Sequence, residues 1–478
     1  MKRIHSIMPL LVIHLILIGC SSSDNTEPEP KTITPPKLIT VEPIACEECT
    51  YVVKADQSKI DGSELNLKAG DIICLDGNIT YRDLTFVNIK GSPNAPIIIK
   101  NCGEKVAAVV PASGRPFGVK FQKSQHIKLL GNGGGGDYGI KISTDNGFFL
   151  TMQTYTTDFE IAGVEIAGPN ERAGFAGIGV KTSPYEDCDN FTDPTRSFWI
   201  MRNVTIHNNY IHGTGGEGMY IGHGFYNGRT ESHCSERTYS HSIKGLRIYD
   251  NRIENVGLDG IQIKNADEDV AVYNNYINGY AMDNRNAHDK GAHDEGILIG
   301  AGTTGKFYNN TIINGGTGIF VHGMGNLDIY NNVIIDAYDY AFFAAGGPSV
   351  FRFSDGYFNI FNNTFHNTGE RTFAFFNGSS DIEKGGLKRL KNNIFVAPNA
   401  TEYVRKGAAL DSSNNVFTKD IKFFQFTDFS SNDLSITSGS PAIDNGEDLN
   451  DFGISDDISG TKRPQGNGFD LGAYEFKL

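Results

Sequence analysis

The 478-residue chain is 39% apolar and 21% charged, and its formal net charge is −14. So acidic a chain is not built to hold nucleic acid, which needs a strongly basic face. An anionic sugar is not excluded, because a few cations in a local cleft can bind carboxylate or sulfate on an otherwise acidic surface.

At the start, Lys2 and Arg3 precede an apolar run from Met8 to Ile18, and Leu17-Ile18-Gly19-Cys20 has the spacing of a bacterial lipoprotein cleavage box. That run is shorter than the roughly 20 residues a spanning helix needs, and no later stretch qualifies. Residues 1–20 therefore read as a signal, and lipid on Cys20 is expected to be the only membrane attachment. This predicts a cell-envelope protein on the outer membrane, facing the periplasm or the surface. Residues 21–44 are rich in Ser, Glu, Pro and Thr and read as a flexible tether. Six cysteines remain: Cys46, Cys49, Cys74, Cys102, Cys188 and Cys234. An even number in an oxidising compartment predicts disulfides, with the pairing left open. Cys46 and Cys49 lack a second pair at matching spacing, so no zinc site is expected.

Over residues 45–420 the dominant pattern is a pair of asparagines between apolar residues. It runs through Ile206-His207-Asn208-Asn209-Tyr210-Ile211, Ile248-Tyr249-Asp250-Asn251-Arg252-Ile253 and Val272-Tyr273-Asn274-Asn275-Tyr276-Ile277, and recurs at Asn309-Asn310, Asn331-Asn332, Asn362-Asn363, Asn392-Asn393 and Asn414-Asn415. The shortest interval between second asparagines is 22 residues and the longest is 42, so a unit near 22 carries insertions. One unit is one solenoid coil. Within it, β-branched and aromatic residues alternate in short runs broken by Gly, Asn and Asp, which is strand-and-turn patterning. The fold class is all-β, a parallel β-helix solenoid, with residues 421–478 as a C-terminal coil or cap. Asn suits the interior turns because it tolerates left-handed backbone and its amide can bond to the asparagine one coil above.

Gly70-Asp71-Ile72-Ile73-Cys74-Leu75, followed by Gly91-Ser92-Pro93-Asn94-Ala95-Pro96-Ile97-Ile98-Ile99, resembles the first coils of polysaccharide lyase family 6, the alginate lyase and chondroitinase B group. It also fits the wider pectate-lyase-like superfamily. Ser440-Pro441-Ala442-Ile443-Asp444-Asn445-Gly446 and Asp470-Leu471-Gly472-Ala473-Tyr474-Glu475 are similar to the tail of exported bacterial β-helix proteins. The resemblance implies a right-handed β-helix and specifies fold far better than reaction.

Strands that follow the ladder begin with a turn and Gly, as in Gly177-Ile178-Gly179-Val180-Lys181, Gly218-Met219-Tyr220-Ile221-Gly222, Gly260-Ile261-Gln262-Ile263-Lys264, Gly296-Ile297-Leu298-Ile299-Gly300 and Gly318-Ile319-Phe320-Val321-His322. Alternation turns Ile, Met and Val inward. Two outward columns remain, Gly179-Tyr220-Gln262-Leu298-Phe320 and Lys181-Gly222-Lys264-Gly300-His322, with coils about 4.8 Å apart. Lys264 lies between two glycines, so a sugar ring has room beside it, and His223, Tyr220 and His322 are its neighbours. Glu217, Asp259 and Glu295 precede three of the glycines, and like charges stacked so closely raise their pKa values or require a cation. Ca²⁺ is one solution, and the resemblance implies it, because calcium assists some of those lyases. Two insertions, 224–240 with Arg229, His233 and Cys234, and 283–294 with Arg285, His288, Lys290 and His293, flank Lys264 and are expected to wall a cleft.

These residues, together with the resemblance of the first coils to those lyases, predict β-elimination on a uronic-acid poly- or oligosaccharide, by a lyase or a dehydratase. Lys264, His223, Tyr220 and His322 are the candidate catalytic groups; Gln262, Asn265, Lys181, Arg285, His288 and His293 are the candidate substrate-binding groups. The family's outward Arg one coil after the Lys is Gly300 here, so the acid role passes to His322, Tyr220 or His223. One alternative is a glycoside hydrolase using Asp259 and Glu295. Another is a non-catalytic sugar-binding surface protein, which predicts an exposed aromatic row. The expected partner is an anionic saccharide, and the chain is expected to be a monomer.

Overall fold

The computed structural model describes residues 44–131, 136–169, 172–283, 293–323, 325–345, 356–369, 371–375, 387–406 and 410–477. Cys20, the signal and nearly all of the tether lie outside these residues, as do Arg285, His288 and Lys290. Each coil contributes one strand to each of three parallel sheets. In one coil these are Met201–His207 in sheet 1, Tyr210–His212 in sheet 2 and Met219–Ile221 in sheet 3. Among the described residues, sheet 1 has 13 strands and sheets 2 and 3 have 12 each. Ile178, Met219, Ile261, Ile297 and Ile319 align in register and fill the interior from sheet 3.

The paired asparagines divide their work at the corner between sheets 1 and 2. The first residue of each pair takes the left-handed turn, from Asn208 (φ 51°) and Asp250 (φ 53°) to Asn414 (φ 51°). The second points inward and builds the ladder. Asn310 Nδ2, for example, donates to Asn332 Oδ1 (3.0 Å) and Val272 O (3.0 Å), while its Oδ1 accepts from the backbone and side-chain nitrogens of Asn275 (3.2 and 3.0 Å). The ladder amides are thereby satisfied inside the core, where an unpaired one would cost about 1–3 kcal/mol.

Disulfides Cys46–Cys102 and Cys49–Cys74 tie the start of the described chain to two successive strands of sheet 1. The closely spaced Cys46 and Cys49 thus serve different coils. The C-terminal segment does more than close the last coil. After Val416–Thr418 it forms an antiparallel pair, Phe426–Asp428 with Asp433–Ile436, and then returns along the outside of the solenoid. Outward amides of Asn414, Asn392, Asn362 and Asn331 donate in turn to Asn445 O, Glu447 O, Asp470 O and Asp456 O. Fully buried Arg463 donates to Asp470 O (3.0 Å), Gly472 O (2.8 Å) and Glu475 Oε2 (2.9 Å), which knits the strap together. Among the described residues no helix is long and apolar enough to cross a membrane.

Candidate active site on sheet 3

The outward face of sheet 3 keeps the register expected from the alternation. Gly179 pairs with Tyr220, Tyr220 with Gln262, Gln262 with Leu298 and Leu298 with Phe320. One residue further on, Gly222 N bonds to Val180 O, Lys264 N to Ile221 O and Gly300 N to Ile263 O, so the lysine column is aligned too. Both glycines are required. A Cβ on Gly222 (φ +80°) would fall 1.9 Å from Lys264 O, and one on Gly300 would fall 2.6 Å from Lys264 Cγ. The Lys264 side chain lies across Gly300, so the arginine of the lyase pattern has no room there.

Lys264 lines a cleft of about 470 Å³ together with Tyr220, Asn265, His293 and His322. Burial lowers the Lys264 pKa, against the pull of Asp259, Glu217 and Glu295. Its Nζ stands 5.7 Å from the Tyr220 ring centroid, and Lys181 Nζ lies 3.9 Å from the same ring. Burial also brings Lys181 down to about 8, with the Lys264 charge adding to the effect and Glu217 opposing it. Burial pushes the Tyr220 phenol up to about 12, and Glu217 and Asp259 contribute, so it keeps its proton at neutral pH. His322 is exposed on the rim, yet crowding protein and the Lys264 charge lower its pKa.

Lys181, His223 and Gln262 stand behind this surface. Lys181 caps the Tyr220 ring. His223 packs edge-on to Tyr185 at 5.3 Å, and its Nδ1–H donates to Gly224 O (3.1 Å), leaving Nε2 as an acceptor. Burial and the nearby cations bring it down to about 4, so it is neutral at working pH. Gln262, expected to bind substrate, is fully buried against the Tyr220 phenol and is not among the residues that line the cleft. Asn265 is also largely buried; its amide donates to His223 O, and its Oδ1 has no partner.

The predicted carboxylate stack is present and buried: Glu217, Asp259, Glu295 and, beside them, Asp294. Burial raises all four, Asp259 to about 6 and Asp294 to about 8. Glu217 Oε2 and Asp259 Oδ2 have no hydrogen-bond partner. His293, rather than Glu295, completes this group: donor atoms of Glu217, Asp259 and His293 all lie within 4.8 Å of one another. Glu295 Oε2 instead accepts from the backbone nitrogens of His293 (3.1 Å) and Asp294 (2.8 Å), and its own N–H donates to Asp259 Oδ1 (3.2 Å). The His293 Nδ1 lies 3.5 Å from Asp259 Oδ2 and 3.9 Å from Glu217 Oε1. Two buried carboxylates and an imidazole fit a divalent cation, with a donor set less purely oxygen than Ca²⁺ sites are.

The loop after Met219–Ile221 walls the cleft, as expected, but through residues the sequence did not single out: Phe225, Tyr226 and Asn227. Arg229 and His233 instead make local contacts, Arg229 Nε with Glu231 Oε1 (2.7 Å) and His233 Nε2 with Tyr185 O (3.0 Å). Cys234 bonds to Cys188. An irregular loop has no periodicity to show which side chains face inward.

Residues 202–417 match the family model described as a right handed beta helix region. No curated protein matches the chain. Among solved structures it is similar to an alginate lyase from a Paenibacillus species at 17% identity, covering 67% of this chain and 95% of that one, with a TM-score of 0.41. It is also similar to a lacto-N-biosidase from Eubacterium ramulus (14% identity, 77% and 67% covered, TM-score 0.48). A polysaccharide lyase from Pseudopedobacter saltans matches at 14% identity, with 76% and 92% covered and a TM-score of 0.40. Likeness at this level concerns fold and not reaction. With its three parallel sheets, and with residues 202–417 matching that model, the chain has the fold of a right-handed parallel β-helix.

Proposed function

We propose that the sheet 3 cleft carries out β-elimination on a uronic-acid-containing poly- or oligosaccharide. The observation that carries this reading is Lys264: a desolvated lysine with a lowered pKa, in an open cleft, with Tyr220 and His322 on the same surface. Neutral Lys264 takes the C5 proton, the electron pair forms the C4=C5 double bond, and the C4–O bond breaks. Tyr220, protonated at neutral pH, gives its proton to the departing oxygen. Lys181 against the ring face stabilises the phenolate that results. Glu217, Asp259 and His293 would hold a divalent cation, which when bound supplies positive charge toward the substrate carboxylate. The same groups serve whether C4 loses a sugar or, at a chain end, water.

A hydrolase fits less well. Glycosidases place two carboxyls about 5–9.5 Å apart on opposite sides of the bond they cut. Here Asp259 and Glu295 are buried on one side and touch each other. A passive binding face is not favoured either. The outward aromatic row is on sheet 1, where His207, Tyr249, Tyr273, Tyr308 and Tyr330 stack at 4.7–5.0 Å and nearly parallel. Their faces cover one another and leave only edges for a sugar.

The test is absorbance near 235 nm during incubation with alginate, pectin, glycosaminoglycan and ulvan and their oligosaccharides. A rise is expected, reduced by a chelator and restored by added divalent metal. New reducing ends without that absorbance would replace elimination with hydrolysis.

A further inference from the structure

Phe225 is half exposed on the rim of the cleft, at 52% of its full surface, and its backbone is left-handed at φ 64°. A bulky residue in that region of backbone space is strained, and an exposed phenyl ring gains nothing from water. The surrounding loop is nevertheless built to hold it there. The Ser240 hydroxyl donates to Gly224 O (2.5 Å) and Phe225 O (3.3 Å). Arg237 donates to Asn227 O (2.7 Å) and Gly228 O (3.0 Å). Tyr226 rests against Gly302, where a Cβ would come within 2.3 Å of its ring, and Cys188–Cys234 ties the loop to the connection between the strands Ile178–Val180 and Met201–His207. The Arg229 guanidinium stacks 4.9 Å from the Phe225 centroid and is anchored through Nε to Glu231 (2.7 Å), which leaves its outer nitrogens clear of that ion pair.

We infer that Phe225 and Arg229 form a sugar subsite next to Lys264, in which the ring receives the C–H face of a uronic acid and the guanidinium binds its carboxylate. Polarised C–H groups pack on the negative face of an aromatic ring, and a planar guanidinium matches a carboxylate in two-point contact. The subsite rests on the uronate reading above and adds what holds the neighbouring sugar. Phe225 is thus a specificity-determining residue.

The test uses the full chain carrying Lys264→Ala, so that bound saccharide is not consumed. Calorimetric titrations with tetra-uronates prepared from alginate and from polygalacturonate are compared with titrations of their carboxyl-reduced counterparts. Phe225→Ala is expected to weaken tetra-uronate binding by about tenfold, as loss of a central aromatic anchor does. Phe225→Trp should restore affinity and Phe225→Leu should not, which separates a ring platform from simple packing. Arg229→Gln should weaken binding of the uronates and leave the reduced sugars unchanged, and Phe423→Ala, far away in the C-terminal segment, should change neither. Unaltered affinity in Phe225→Ala, or full affinity in Phe225→Leu, would overturn the subsite while leaving the uronate reading in place. No binding of any uronate by the unsubstituted chain would overturn both.

Discussion

Lys264 shows how a side chain acquires chemistry from its position. On a solvated strand it would hold its proton to about pH 10.4. Beneath the 224–228 loop and across Gly300, burial favours its neutral form. A base that must be neutral becomes more active as pH rises, so kcat/KM should climb through neutral pH and level off below the roughly 10.4 of a solvated lysine. A rate flat across that range would remove Lys264 from the role of base. The lysine, its two glycines and Tyr220 were legible in the sequence, because an outward column follows from strict alternation. What could not be read was depth: Gln262 has the same parity as Tyr220 but is covered, and neither Phe225 nor the grouping of His293 with Glu217 and Asp259 follows any period.

At the scale of elements, the paired asparagines keep the coils in register. The sequence pattern located them and assigned left-handed turns and amide stacking to the same motif. The structure gives the turn to the first residue and the stacking to the second, since only one of two successive side chains can point inward. Asn310→Ala would therefore leave Asn275 and Asn332 groups unpaired in the core and cost about 3 kcal/mol. Asn309→Gly, at φ 55°, should stay within about 0.5 kcal/mol of wild type, because glycine accepts that backbone. Denaturant midpoints measure both, and equal losses would refute the division. A corner pair on sheet 1 should respond to pH instead. Hydrogen bonds from His207 and Lys128 bring Glu160 down to about 2, with its own burial opposing them. Burial opposes the charged form of His207, but hydrogen bonds with Glu160 and Asn208 outweigh it and raise the pKa. The Glu160 contribution is complete above about pH 4.5 and is lost as pH falls toward 2; the His207 contribution is complete below about 6.5 and is lost as pH rises past it. Glu160→Gln should therefore lose most stability, relative to wild type, between those limits, as thermal melts across pH would show.

At the scale of the whole molecule, a solenoid has exposed ends and contacts only between neighbours, so its ends need separate protection. Two disulfides guard the first coils, and the returning C-terminal strap binds four successive corner asparagines from Asn414 back to Asn331. The sequence marked the tail as a unit but not its path, because long-range docking leaves no local pattern. Arg463→Met would strand Glu475 in the buried heart of the strap, at a cost of about 3–5 kcal/mol. Limited proteolysis should then release the tail while the coils remain resistant; a tail as protected as in wild type would show that Arg463 is not its keystone.

The central question is whether this face of the solenoid eliminates across C4 and C5 of a uronic acid. Its most direct measurement is the 235 nm absorbance of wild type and Lys264→Ala on the same set of uronic polymers and oligomers. Wild type should give a rise that falls by about a thousandfold in the variant, with unchanged thermal unfolding. No rise on any substrate, or an equal rise with Lys264→Ala, would contradict the proposed elimination.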